Sequence, residues 1–300
     1  MTIVIEQALL VLMFAAVGYC LVKFKVIDSR HTKVLSTLAV YVFLTSSIFR
    51  TFATNFTPAY LKEKYPLILV SGGVLLVLVA VALPLSRLFT KESYKRNVIR
   101  YCLTIPNYGY VGYAMAEGIY GSLMLQNVMM VTVPVSAYTY TFGYCLLTNN
   151  KVSLKKLINP VTMSMVAGAI VGFFGIPLPG VVNQFLGKAA GCMSPAGMIV
   201  IGMVVAEYKL TDLLKKKEVY IITALRLLVV PLAIGVVLRL LHLEMAMIPV
   251  MLVMAMPTSA NAILFPKIIG EDCHTGASLA LISTILCCAT IPLIFYIFGL

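Results

Sequence analysis

Two short stretches of this 300-residue chain carry polar, helix-breaking residues inside apolar sequence: Ile105-Pro106-Asn107-Tyr108-Gly109 and Met256-Pro257-Thr258-Ser259-Ala260-Asn261. Proline has no amide hydrogen and its ring crowds the preceding turn, while Gly109 relaxes the backbone, so neither stretch can run on as regular helix. A helix broken in this way offers a new N-terminus whose free amides and positive dipole end favour an anion. Asn107, Tyr108, Thr258, Ser259 and Asn261 add neutral donors and acceptors at the same places. Catalysis needs other groups. His31, His242 and His274 lie in or beside polar segments, no histidine pair has metal-ligand spacing, and no acid pair sits within an apolar run. A nucleotide-driven pump would need a phosphate-binding loop, and the sequence has none. The chemistry on offer is recognition of a small polar ligand without a cofactor.

Other positions extend this set. Arg226 is the only basic residue well inside an apolar run, and such a charge is a functional candidate by default. It can neutralise a carboxylate, pair with an acid, or extend its side chain to the interface. Glu117 lies ten residues beyond Asn107, about 15 Å along a helix, which suits a surface or gate role. Tyr138 in one run, and Thr45, Ser46 and Ser47 in another, can line a cavity, although Ser and Thr hydroxyls also bond back to their own helix. No Asp or Glu occupies the middle of a run, so coupling to protons or sodium through paired carboxylates has no evident site. Coupling through backbone carbonyls and simple uniport both stay open. The seven cysteines lie mostly inside apolar runs, where Cys acts as a small apolar residue.

The composition decides which elements hold these residues. Hydrophobic residues make up 61% of the chain, charged ones 11%, and the mean hydropathy is +0.99, whereas a soluble domain carries about 25% charged residues. Apolar runs long enough to cross a hydrocarbon core of about 30 Å recur along the whole length. Backbone polar groups in lipid must be paired internally, and runs this long suit helices rather than barrel strands. The expected spans are 2–22, 34–53, 66–86, 98–120, 123–147, 160–176, 182–206, 219–241, 247–269 and 276–299. The first opens Met1-Thr2-Ile3-Val4 with Glu6 and no basic leader, and reads as a retained helix. Net charge is +12, but its distribution points to lipid rather than nucleic acid. Alternate loops, around residues 23–33, 87–100, 151–156, 209–217 and 267, hold seventeen of the 23 basic residues. The other side holds Arg50, Lys62, Lys64, Lys188 and Arg239. The positive-inside rule then places the richer loops in the cytoplasm and both termini on the non-cytoplasmic side of the cell membrane.

A polar connector at 148–159 divides the chain into residues 1–147 and 160–300, with five expected spans in each. The fourth span is interrupted at Pro106 and Asn107 and closed by Gly121; the ninth is interrupted at Pro257 and Asn261 and closed by Gly270. A duplicated unit with an odd number of spans must lie in the membrane in opposite orientations, so the expected fold is an all-α membrane protein of two inverted five-helix repeats. Interruptions at equivalent mid-span places would cross near the membrane centre.

With these residues in view, the chain resembles the auxin efflux carrier family. Thr104-Ile105-Pro106-Asn107-Tyr108-Gly109-Tyr110-Val111-Gly112, ending in Tyr120-Gly121, is similar to the family's fourth-helix signature. Met256 to Asn261 with Lys267 and Gly270, then Ser283-Thr284 and Ile291-Pro292-Leu293, resembles its ninth and tenth helices, and Gly202, Ala206 and Leu210 the end of its seventh. Two departures stand out. Ala114 replaces a usual proline, and the long cytoplasmic loop of many plant members gives way to roughly Asn149 to Asn159, which points to a compact carrier of the bacterial kind.

The resemblance implies a scaffold of spans one, two, six and seven and a moving transport domain of spans three to five and eight to ten. It also implies an elevator-like motion and a substrate bearing a carboxylate. Pro106, Asn107, Gly109, Pro257 and Asn261 are then crossover positions, with Thr258 and Ser259 beside them. The expected substrate set is Asn107, Tyr108, Thr258, Ser259, Asn261, Tyr138, Thr45 and Ser46, with Arg226 and Glu117 as candidates for charge pairing or coupling. The expected partners are a small organic anion and membrane lipid, not nucleic acid, with a homodimer through the scaffold left open. A membrane sensor that keeps the fold without transport is the alternative.

Overall fold

The computed structural model describes residues 2–148, 158 and 160–300. The expected connector at 148–159 falls almost wholly outside them. Helices account for nearly all of the described chain, and it contains no strand. Among the described residues five helices are long and apolar enough to cross a membrane: Ser29–Asn55, Pro58–Phe89, Gly180–Glu207, Lys217–Leu240 and His274–Phe298. The protein is a multi-pass membrane protein.

The other expected spans take different forms. Thr2–Lys23 is one helix of 22 residues and Pro160–Phe174 one of 15. The expected span 98–120 divides into Ser93–Thr104, a wide turn over Tyr108–Gly112, and Tyr113–Tyr120. The expected span 247–269 divides into Glu244–Met254 and Asn261–Ile269. Both divisions fall at the prolines. Four wide turns with i to i+5 bonding interrupt the helices, at Ala39–Leu44, Tyr108–Gly112, Thr139–Gly143 and Leu225–Val229. Such turns rotate the helix and often accompany functional sites.

Inside lipid, apolar burial does not itself drive helices together, so close van der Waals approach has to. The pair Thr2–Lys23 and Met193–Glu207 achieves it with glycine. A side chain at Gly18 would strike the Ile199 carbonyl, and one at Gly202 the Ala15 carbonyl. Pro160–Phe174 lies along Thr45–Asn55 by the same means, with Gly168 against Phe49 and Gly172 against Phe52. Pro58–Phe89 buries a single stripe, Leu67, Ser71, Leu75, Ala82 and Ser86, along Ser122–Tyr138 and leaves Leu69, Leu76, Val77 and Leu88 exposed. That outward face is apolar because its surroundings are lipid.

Candidate functional site

The two proline breaks lie against each other. Asn107 N–H donates to the Pro257 carbonyl at 2.7 Å and Ser259 N–H to the Ile105 carbonyl at 3.3 Å, so Pro106 and Thr258 pair like residues of two antiparallel strands. Ile105 is extended, at φ −105° and ψ 113°, which lets its carbonyl turn sideways across the break. Proline fits because its missing amide needs no partner there.

The amides after the second break are largely taken up, contrary to the expectation of open amides aimed at an anion, whereas no bond is described for those of Tyr108 and Gly109 after the first. Thr258 N–H donates to Ser283 Oγ at 3.1 Å and Asn261 N–H to Ser259 Oγ at 3.3 Å. Ala262 N–H is bonded to the Ser259 carbonyl and Ile263 N–H to that of Ala260. Each segment supplies the other with one strand-like partner, and the hydroxyls of Ser259 and Ser283 take the Asn261 and Thr258 amides. At the second break recognition falls to side chains, and at the first the Tyr108 and Gly109 amides stand beside them.

Those side chains are available. Asn107 and Asn261 are buried, and the Oδ1 atom of each has no hydrogen-bond partner among the described residues. Rotating either amide by 180° would present its NH2 group instead, so the same position can meet an acceptor or a donor. The Tyr101 hydroxyl lies near Ser259 and Asn261 without a well-formed bond to either. Tyr108 is tied in place, its hydroxyl 2.9 Å from Ser136 Oγ and 3.4 Å from the Tyr140 hydroxyl.

Arg226 sits on the wide turn Leu225–Val229 and is completely buried. Its Nη1 donates to the Met254 carbonyl at 2.8 Å, at the C-terminal end of the helix preceding the second break. Nε and Nη2 have no partner among the described residues. The guanidinium does not extend to an interface; it stays under the junction, where the negative end of the Glu244–Met254 dipole favours it.

The remaining expected residues are more scattered. Thr45 turns its hydroxyl back to the Tyr41 carbonyl at 2.7 Å. Ser46 is buried, and neither residue lines a cavity described near the junction, whereas Ser47 and Thr51 do. Tyr138 stacks on Phe142 and borders a separate cavity with Arg100 and Thr104; Tyr140 is the tyrosine that reaches Tyr108. Glu117 lies on Tyr113–Tyr120, and its side chain is outside the described residues. The signal for Ser47 and Thr51 was their helical phase. Ser47, Arg50, Thr51 and Thr54 recur at spacings of three and four and share one helix face.

A family model described as membrane transport protein matches residues 3–150 and 144–296. The chain belongs to the auxin efflux carrier family. An uncharacterized transporter of Methanocaldococcus jannaschii is 23% identical over 206 residues, covering 66% of this chain and 66% of that relative's length. This auxin efflux carrier family member is accordingly a membrane transporter.

At one end of the transporter a second cluster ties helices together. Lys267 Nζ contacts both carboxylate oxygens of Glu207, at 2.7 and 2.6 Å, joining Asn261–Ile269 to Met193–Glu207. Beside it the Tyr208 hydroxyl donates to Asp272 Oδ1 at 3.1 Å, and the Tyr208 ring meets His274 edge-on at 5.1 Å. Burial, helped by the Asp272 charge, holds the Tyr208 phenol above its ordinary pKa, so it remains a donor at physiological pH.

Proposed function

We propose that this protein is a secondary transporter of a small organic anion bearing a carboxylate, with the substrate held at the junction of the two broken helices. The observation that carries the reading is the junction itself. Two interrupted helices are joined backbone to backbone inside a membrane transporter, with the buried side-chain oxygens of Asn107 and Asn261 without a partner among the described residues beside the joint. Irregular backbone at membrane depth is tolerated where it lines a site or is enclosed by protein. Arg226 adds a fixed positive charge below the joint, which favours an anion over a cation nearby. Tyr108 and Thr258 to Ser259 form the walls.

The fold we propose is ten spans in two inverted fives. Packing supports it through an exchange of partners. The first span lies along the seventh and the second along the sixth, as a two-fold axis relating spans one to six and two to seven requires. The third span likewise packs with the fifth, and the eighth with the tenth. On this reading spans one, two, six and seven are a scaffold, and the other six move as an elevator past it with both termini outside the cytoplasm. The decisive experiment is flux in proteoliposomes. The purified protein should take up a labelled carboxylate and show counterflow, and Asn107→Ala should weaken both; binding of the acid without flux would make it a sensor instead.

A further inference from the structure

The reading above leaves the substrate charge without an accessible partner. The amides after the second break are taken, those of Tyr108 and Gly109 carry no formal charge, and Arg226 borders none of the cavities described around it. A cavity of about 310 Å³ opens to the surface between Thr45–Asn55, Ser122–Tyr138 and Gly180–Gly191. Its walls include Ser47, Arg50, Thr51, Tyr113, Gln126 and Met129. It shares Ser47, Thr51 and Tyr113 with an inner crevice of about 20 Å³ whose far side is Tyr108 and Gly109, the first residues after the break at Asn107. Outer cavity, crevice and junction therefore form one line. The outer chamber lies within the size range of small-molecule sites, at roughly 300 to 1,000 Å³. The inner crevice has space for about one water and is closed to anything larger.

Arg50 is exposed in the wall of the outer chamber and has neither hydrogen bond nor ion pair among the described residues. Its guanidinium lies over Gly187, where an added Cβ would stand 3.7 Å from Cζ, an ordinary van der Waals contact. A guanidinium presents two parallel N–H groups that match the two oxygens of a carboxylate. Ser47 and Gln126 add neutral donors, the Thr51 hydroxyl donates to the Ser47 carbonyl at 2.8 Å, and Tyr113 and Met129 supply an apolar wall for the body of the acid.

We infer that this chamber is a vestibule for the anion, in which Arg50 captures the carboxylate from the non-cytoplasmic side before the acid moves past Tyr113 and Tyr108 to Asn107. This rests on the transport reading, and goes beyond it by assigning the charge-selecting residue and the side of access. The loop charges put Arg50 on the sparsely charged, non-cytoplasmic face.

Uptake of labelled acetate, lactate, succinate and indole-3-acetate into proteoliposomes tests it, using wild type, R50Q, R50K and N107A, with thermal shift of the same proteins by the same acids. For the best-moved acid, R50Q is expected to raise the half-saturating concentration about tenfold at similar maximal flux, as loss of a charge-assisted bond implies. R50K should do so by less, since it keeps the charge and loses the fork. In a cysteine-free background, T54C should react with an impermeant thiosulfonate reagent from the non-cytoplasmic side and be shielded by the acid. Wild-type half-saturation in R50Q, or labelling of T54C from the other side alone, overturns the vestibule. If N107A is impaired while R50Q is not, the vestibule fails and the transport reading stands. If wild type neither binds nor moves any of the acids, the carboxylate reading fails and takes the vestibule with it.

Discussion

Asn107 and Asn261 each bury a side-chain carbonyl that nothing among the described residues bonds. An unmet buried acceptor costs about 1–3 kcal/mol, so removing it should not harm the fold. Asn107→Ala is therefore expected to keep its unfolding temperature in detergent within a few degrees of wild type while carboxylate flux falls about tenfold; a large drop in melting temperature would make the residue structural. The same logic applies more strongly to Arg226, a buried cation with one hydrogen bond and two unpartnered nitrogens. Arg226→Met replaces it by an apolar chain of comparable length. The variant should be as stable as wild type or more so, because replacing buried charge by packed apolar groups is often neutral or stabilising. Its flux should be lost, and unfolding together with uptake measured on one preparation separates the two effects. At this scale the sequence was informative where chemistry and position coincide, as at Pro106 and Asn107. It was less so where helical phase decides. Thr45 and Ser46 have the same residue types as Ser47 and Thr51, but only the latter two fall on the helix face that lines the crevice.

Between helices, two kinds of contact have opposite consequences. The glycine approaches that join Thr2–Lys23 to Met193–Glu207 admit no side chain, so Gly202→Leu should cost roughly 3 kcal/mol or prevent folded protein from accumulating, as read by size-exclusion yield. The Glu207–Lys267 bridge is partly solvated, with side-chain exposures of 20% and 18%, and should contribute no more than about 1 kcal/mol. If one helix bundle slides past the other, however, the bridge must open in every cycle. Glu207→Gln is then expected to leave stability almost unchanged and to alter the rate of counterflow several-fold; an unchanged rate would show that these helices do not separate during transport. Proline alone does not mark the breaks in the fourth and ninth expected spans, since Pro66, Pro84, Pro134, Pro266 and Pro292 stand inside continuous helices; Pro106 and Pro257 differ in being followed by the polar and small residues Asn107 and Gly109, and Thr258, Ser259 and Asn261. That the two breaks meet follows from their equivalent places in the two halves, but the register of Pro106 against Thr258 does not, because it joins segments some 150 residues apart and nothing local encodes it.

Across the whole molecule, seventeen basic residues in alternate loops against five elsewhere give the chain an orientation that labelling can check. Cysteines introduced at Lys95 and Lys216 should react with an impermeant reagent only after the cytoplasmic face is opened, and those at Lys62 and Lys188 in intact right-side-out vesicles. The opposite pattern would invert the molecule and move the Arg50 chamber to the cytoplasm. Among the described residues five helices meet a length-and-hydropathy measure of crossing, and two of the expected spans that do not are the ones divided by the breaks.

The joint at Asn107–Pro257 and Ile105–Ser259 is made of main-chain atoms. Side chains at 107, 258, 259 and 261 can therefore be exchanged without unfastening the two halves. Selection can retune the cargo by point substitution while the frame stays constant, and a designer can do the same. A library confined to those four positions is the smallest place from which a carrier with a new preference would emerge.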